Sequence, residues 1–327
     1  MPNDVILLRR VVTAVVAGGV LLLCLHYLVT RFEWREAITV LVGARMFLFL
    51  GMGSMTVLLY WLLRTLRWYW MLRFQEVRVP FMVLFWMTSL SLAFSIITPF
   101  QSGEMMKVEW MKRRGLAGRA SGYGIFAVER GMDLAVVAGA AVVSGFAEYV
   151  GMVLYEAMAW ISVVIILALA GGGWFFRKIH LKGATGEFLL AVRASLKTPW
   201  QGLVIFALTV LAWMMTAAGW QVCLVSIGMD VGYVRALVLT LWVTLINILS
   251  MVPGAVGVSE VSIAELLVFW GYSVSLSQAA ALSLRGYSLL ILACGAMLFV
   301  LNQSYVYFSG YFFRRKRETK PCIVSKK

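Results

Sequence analysis

Runs of about 20 apolar residues recur from one end of this 327-residue chain to the other, near 11–30, 46–63, 121–145, 157–176, 201–227 and 277–301. A helix rises 1.5 Å per residue, so each run matches the ~30 Å hydrocarbon core of a bilayer. The segments between them are too short for a soluble domain of the usual ~100 residues. Composition agrees: 62% of residues are hydrophobic and 13% charged, against about 45–50% and about 25% in soluble domains. The expectation is an all-α polytopic membrane protein, a single domain over 1–327.

Two further apolar runs, 81–98 and 236–252, behave differently. Each ends at a proline, continues through glycine and resumes as a shorter segment. Loop charge suggests how they sit, because cytoplasmic loops concentrate Lys and Arg. Residues 64–80 carry Arg64, Arg67, Arg73 and Arg78, residues 177–198 carry five basic side chains, and the tail at 314–327 begins "RRKRETK". All three are expected in the cytoplasm. The 146–156 connection has Glu148 and Glu156 without a basic residue, and 228–235 balances Asp230 with Arg235, so these two face outward. If 81 to about 111 and 236 to about 271 are re-entrant helical hairpins entering from opposite faces, every loop falls on its expected side. That gives about six full spans plus two oppositely oriented hairpins, in a bacterial-type cytoplasmic (inner) membrane with both termini cytoplasmic. The net charge of +14 is then topology and not a nucleic-acid footprint. Arg9 and Arg10 before the first run form an uncleaved first helix, since no small-residue cleavage motif ends it.

The two hairpins share a pattern. Pro99 and Gly103 match Pro253 and Gly257, Glu104 matches Glu260, Gly115 matches Gly271, and Arg130-Gly131 matches Arg285-Gly286. Glu104 to Arg130 spans 26 residues and Glu260 to Arg285 spans 25. This is the signature of an inverted repeat, with halves at about 46–176 and 201–301, a plan in which broken helices meet near the midplane.

A helix that ends at proline frees carbonyls that hydrocarbon cannot satisfy, so such backbone lines protein or water. The glycine allows a tight turn, and the helix that resumes offers unpaired N–H groups to an anion. Glu104 and Glu260, at the start of the resuming segments, either cap those N–H groups or serve a ligand. Arg130 and Arg285 lie several residues inside spans, where a charge costs roughly 2.5–3.5 kcal/mol. Asp133 and Glu129 offer Arg130 a local partner; Arg285 has no acid within four residues and pairs with Glu260 or Glu104, or awaits an anionic ligand. Arg64, Arg67 and Arg73 interleave with Trp61, Trp68, Tyr69 and Trp70, the pattern of an interfacial aromatic belt with snorkelling arginines, or of a headgroup site. Cys24, Cys223, Cys294 and Cys322 are scattered, and His26 and His180 stand far apart, so neither disulfide, metal nor cofactor is expected. Glu129 and Asp133 could do acid–base work, but no nucleophile–base motif accompanies them and an enzyme is not expected.

The stretches "TPFQSGEMMKVEWMKRRG", "VERGMDL" and "VPGAVGVSEVSIAELL" resemble the two motif regions of the lysylphosphatidylglycerol synthase transmembrane-region family, which includes the flippase half of the multiple peptide resistance factor. The resemblance covers essentially the whole chain. It implies a polytopic fold with re-entrant helices and, as in the family's best-understood members, movement of aminoacylated phosphatidylglycerol between leaflets. By motif match it implies roles for Pro99, Gly103, Glu104, Glu129, Arg130, Asp133, Pro253, Gly257, Glu260 and Arg285. "TPFQSGE" stands where members often have a Pro-Gly pair, and the second copy lacks the flanking acids. The synthase reaction needs a large soluble domain after the membrane part, and this chain ends shortly after residue 301, so lipid synthesis is not expected. The expected function is flippase-like transport of an anionic or modified phospholipid or a polyprenyl-phosphate-linked lipid. The alternative is a non-transporting scaffold for an envelope enzyme. Expected partners are such a lipid, a second copy of the chain or an envelope enzyme, and no nucleic acid.

Overall fold

The computed structural model describes residues 18–146 and 183–318 apart from 20 and 251, together with 160, 162–164 and 167. Most of the expected span at 157–176, residues 11–17 and 20 of the run at 11–30, nearly all of the acidic connection at 146–156, Cys322 and the side chains of the basic tail lie outside the described residues. The described elements are all helical: α1 (Leu21–Thr30), α2 (Trp34–Val42), α3 (Met46–Phe74), α4 (Phe81–Ser95), a 3-10 segment Pro99–Met105, α5 (Met106–Arg113), α6 (Arg119–Phe146), α7 (Gly183–Ser195), α8 (Pro199–Ser226), α9 (Tyr233–Ser250), a 3-10 turn Pro253–Ala255, α10 (Val258–Phe269) and α11 (Val274–Glu318). Four of them, α3, α8, α9 and α11 as far as Leu301, are long and apolar enough to cross a membrane, which makes this a polytopic membrane protein. The helix α6 has 28 residues but carries Glu129, Arg130 and Asp133 within it.

Three sequence expectations change. The span expected at 46–63 continues as helix to Phe74, so Arg64, Arg67 and Arg73 are helical and not in a loop. Buried residues Val57, Trp61, Arg64, Trp68 and Met71 recur at three- and four-residue spacing, so one buried stripe carries through the arginines. Residues 183–195, read as part of a basic connection, form α7, and α9, read as the entering limb of a re-entrant hairpin and not counted among the full spans, is an 18-residue helix long and apolar enough to cross.

The spine is α3 packed antiparallel on α8. Arg45 N–H donates to Ser226 O at 2.8 Å, joining the start of one to the end of the other, and Arg67 Nη1 reaches Thr209 Oγ1 at 2.8 Å further along. At 29 residues, α3 is about 43 Å long. The first hairpin, α4–α5, leaves from the C-terminal end of α3. The second, α9–α10, leaves from the C-terminal end of α8, which is the other end of the pair. Its base is closed by Tyr272 OH donating to Asp230 O at 3.0 Å. The tips of the two hairpins meet: a Cβ on Gly254 would stand 3.3 Å from Ile96 O, and the two 3-10 segments touch.

The breaks follow from local chemistry. Pro99 and Pro253 each open a 3-10 segment at its first position, where a missing N–H costs nothing. Both returning limbs, α5 and α10, end alike. Gly115 (φ +66°) and Gly271 (φ +94°) adopt the left-handed conformation, with Leu116 N–H donating to Met111 O and Tyr272 N–H to Leu267 O, the paired bonds of a Schellman cap. In the first break Thr98 Oγ1 accepts from Gly103 N–H at 2.8 Å, folding the 3-10 segment against the end of α4. A Cβ on Gly103 would lie 2.7 Å from the carbonyl carbon of Phe94 and from the Ser95 nitrogen, and main chain cannot yield as a side chain can. Gly103→Ala should therefore destabilise the protein by about 1–3 kcal/mol, read as a lowered thermal unfolding midpoint in detergent. Gly51→Ala, where a Cβ would meet nothing within 4 Å, should not lower it.

Candidate functional site

Seven charged side chains converge where the first hairpin's tip meets α3 and α6. Arg64 and Arg67, on the buried stripe of α3, face α6. Arg64 donates from Nη1 to Asp133 Oδ2 at 2.7 Å and from Nη2 to Glu104 Oε2 at 2.6 Å. Arg67 donates to Asp133 Oδ1 and to Glu129 Oε1, both at 2.7 Å. Lys107, one turn into the returning limb, bridges Glu104 Oε2 at 3.1 Å and Glu129 Oε2 at 2.9 Å, and its ammonium sits 4.5 Å from the centre of the Trp68 ring. Trp68 Nε1 completes Glu129 with a 2.6 Å bond to Oε2. Arg130 pairs with Glu104 and lies 3.9 Å from Asp133. Glu129 and the side chains of Arg67 and Lys107 are fully buried.

The reading of Arg64 and Arg67 as snorkelling interfacial residues is thus overturned. They are interior, with Trp61 and Trp68 wholly buried beside them; Arg73 alone fits the interfacial picture, bonding Tyr69 at an exposed site. Lys107, counted with the basic end of the hairpin, is also interior. The local partner expected for Arg130 is present in Asp133 at 3.9 Å, but its closer partner is Glu104, 26 residues away in sequence. Glu104 does not cap the returning helix, because its oxygens are taken by cations.

The second hairpin has the simpler arrangement. Glu260 caps α10, its Oε2 accepting from Gly257 N–H at 2.7 Å, and its Oε1 accepts from Arg285 Nε. Arg285 also donates from Nη1 to Gly254 O at 3.1 Å, while Nη2 reaches Ala255 O and Ser259 Oγ only at 3.5 and 3.4 Å. It therefore secures a carbonyl that the helix break leaves without an intrahelical partner. Gly254 (φ +61°), Ala255 (φ +49°) and Gly257 (φ +80°) are left-handed in this turn, with Val256 extended between them.

Between the two tips lies a cavity of about 320 Å³, within the ~300–1,000 Å³ typical of small-molecule sites. Arg130, Asp133, Glu260 and Arg285 line it; Glu104, 2% exposed at its side chain, stands behind Arg130. The guanidinium side chains of Arg130 and Arg285 are each 26% exposed, whereas the carboxylates paired with them are 2% and 7% exposed. The cavity thus meets the cationic edges of two buried pairs. Asn247, Thr244, Ser259 and Ser288 add hydrogen-bonding groups, and Trp213, Trp220, Leu134 and Ile248 make the remainder apolar. Among the described residues no cluster of His, Cys, Asp or Glu could hold a metal, and Cys24, Cys223 and Cys294 are free. Pro99 and Pro253 shape the two breaks through the backbone. Arg64, Arg67 and Lys107 are the members that the sequence reading missed. The available signal was the three acids Glu104, Glu129 and Asp133 on apolar helices, which call for more cations than Arg130 alone.

Removing one partner of a buried ion pair strands the others in low dielectric. Arg67→Met is therefore expected to destabilise the fold by about 3–5 kcal/mol, visible as a large drop in unfolding midpoint or loss of monodisperse protein. An unchanged midpoint would show that the network does not hold the hairpin.

Two comparisons bear on identity. Residues 11–295 match the model of the lysylphosphatidylglycerol synthase TM region. A UPF0104 membrane protein of Methanothermobacter thermautotrophicus is 33% identical over 79 residues. That match spans 24% of this chain and 24% of the relative's own length. This multi-pass membrane protein belongs to the lysylphosphatidylglycerol synthase TM region family.

Proposed function

We propose that the protein is a lipid flippase-like transporter, in which a phosphate-bearing headgroup occupies the cavity between the hairpin tips while the acyl chains remain in the bilayer. The observation that carries this reading is the cavity itself: two guanidinium groups border one space whose lining mixes polar side chains such as Asn247 and Ser288 with apolar ones such as Trp213 and Ile248. An amphiphile with an anionic head fits such a lining. Guanidinium groups suit phosphate because they are planar, permanently charged donors.

The arrangement of the hairpins supports the inverted-repeat reading. They start from opposite ends of the α3–α8 pair, each break opens at a proline, each returning limb ends in a left-handed glycine, and each hairpin's glutamate pairs with an arginine 25 or 26 residues later. In a bilayer α4–α5 would then enter from the cytoplasmic face and α9–α10 from the outer face, placing the cavity near the midplane where transporters of this plan bind substrate. The six-span topology completes this reading, with α6 crossing because its charges are neutralised from α3. On this reading the protein sits in a cytoplasmic membrane with both termini inside.

Reconstituted protein should move a fluorescent anionic phospholipid between leaflets of liposomes. Arg285→Ala and Glu260→Ala should reduce transfer to the protein-free rate. Because either change could weaken the fold, Ser288→Trp, which fills the cavity without touching an ion pair, serves as an independent block and should also stop transfer. Unchanged transfer in Ser288→Trp and Arg285→Ala would overturn the reading.

A further inference from the structure

We propose that Lys107 is a proton site coupled to the cavity: its amine takes up a proton when a phosphate-bearing headgroup arrives at Arg130 and gives it back when the headgroup leaves, so that lipid and proton are carried together. This rests on the reading of the cavity as a headgroup site. Three observations lead there.

The first is which group can change its charge. Among the described residues the ion pairs of the first tip join four cations, Arg64, Arg67, Lys107 and Arg130, to three acids, Glu104, Glu129 and Asp133. Arginine keeps its proton in proteins. Each acid lies within 4 Å of three of the cations, and opposite charge at that distance favours the carboxylate. Lys107, with its side chain fully buried, is the member left to titrate, and lysine is the cation that exchanges its proton readily when buried. It is faced by Glu104 from its own hairpin, by Glu129 and Arg130 from α6 and by Arg64 from α3. The helix α4, which also packs on α5, carries no titratable side chain. Tyr60, its ring 5.8 Å from the Arg64 guanidinium, is a phenol and stays protonated near neutral pH.

The second is that the network can spare this proton. Glu104 Oε2 accepts from Lys107 Nζ at 3.1 Å and also from Arg64 Nη2 at 2.6 Å. Glu129 Oε2 accepts from Lys107 Nζ at 2.9 Å and also from Trp68 Nε1 at 2.6 Å. Neither oxygen is left without a donor when the ammonium becomes an amine, and the amine still carries two N–H groups.

The third is the link to the cavity. Glu104 holds Lys107 at Oε2 and Arg130 at Oε1, and Arg130 borders the cavity. One carboxylate thus separates the amine from the headgroup position. A phosphate there draws on the charge of Arg130 that otherwise serves Glu104, and negative charge brought near an amine favours its protonated form. The same groups give the proton a route. It passes from Nζ to Glu104, leaving the nitrogen lone pair behind, and from the carboxyl group past Arg130 to solvent; uptake is the reverse.

The test is isothermal titration calorimetry of the full chain in mild detergent with dihexanoyl phosphatidylglycerol, whose phosphodiester does not titrate near neutral pH. Repeating it in buffers of different ionisation enthalpy counts the protons exchanged. Binding should take up as much as about one proton per lipid, and because the protonated form binds, affinity should fall by up to about tenfold per unit of rising pH. In Lys107→Arg, which keeps the charge but holds its proton, lipid should bind with no proton exchanged and with an affinity that does not follow pH. Binding by the unaltered protein without proton uptake anywhere from about pH 6 to 9 would overturn the inference and leave the lipid site standing; this measurement needs no variant to fold. Undiminished uptake in Lys107→Arg would overturn it equally. Absence of any binding would overturn it together with the proposed function. Equal affinity for glycerophosphoglycerol, the same headgroup without acyl chains, would overturn the lipid assignment and make the site one for a soluble phosphodiester.

Discussion

The ion-pair network of Arg64, Arg67, Lys107, Glu104, Glu129 and Asp133 is the interaction on which the rest of this fold depends. A carboxylate in a low-dielectric interior is tolerated only if its oxygens are bonded and its charge is matched. Each of the three acids meets that demand with donors from more than one side chain, and those donors come from α3 and from the first hairpin. The network therefore fixes three elements at once. It turns the arginine-bearing stripe of α3 toward α6, makes α6 acceptable among apolar helices, and anchors the break in the first hairpin. Thr209 on α8 supplies one further acceptor to Arg67, which ties the spine to the same centre.

The two hairpins share a skeleton but not an anchorage. The first is tied at its tip by a network spanning α3, α5 and α6. The second is tied by the single pair Glu260–Arg285 and by Arg285's bonds to the carbonyls of the turn. Repositioning the first tip would separate several buried charges together, each separation costing several kcal/mol. Repositioning the second would break one pair whose arginine already borders the cavity. The first hairpin's tip is therefore held more firmly than the second's. The left-handed turn at Gly254, Ala255 and Gly257 gives the second tip a different backbone path from the first, and Ala255 holds it without glycine's freedom.

Much of this plan was legible in the residues, for definable reasons. Pro99 and Pro253 announce helix breaks because proline lacks the N–H and clashes with the preceding turn, and the matched spacing of Glu104–Arg130 and Glu260–Arg285, read as the mark of a repeat, falls on the residues that form an ion pair at each tip. Glu260 as a helix cap followed from its place three residues after Gly257. Arg64 and Arg67 were not legible by the same means. They sit at the end of an apolar run among tryptophans, where local sequence reads the same for an interfacial belt and for a buried stripe. What distinguishes the two is the acids of α6, 62 to 69 residues away, and loop-charge rules cannot see partners at that separation.

The location of the cavity follows from backbone chemistry. Where two helices end at facing tips, their last carbonyls lack intrahelical donors, and in a membrane protein no lipid can supply them. Arg285 supplies them at the second tip, bonding Gly254 O while holding Glu260. A guanidinium spent partly on backbone and partly on one acid cannot be buried completely, because its remaining donors need a polar surface of their own. Arg130 beside Glu104, at the first tip, is likewise only partly buried. Two incompletely buried guanidinium groups then keep polar space open between the tips, which apolar packing would otherwise close. The cavity is thus a consequence of breaking helices inside a membrane protein: the cations that neutralise the breaks border it.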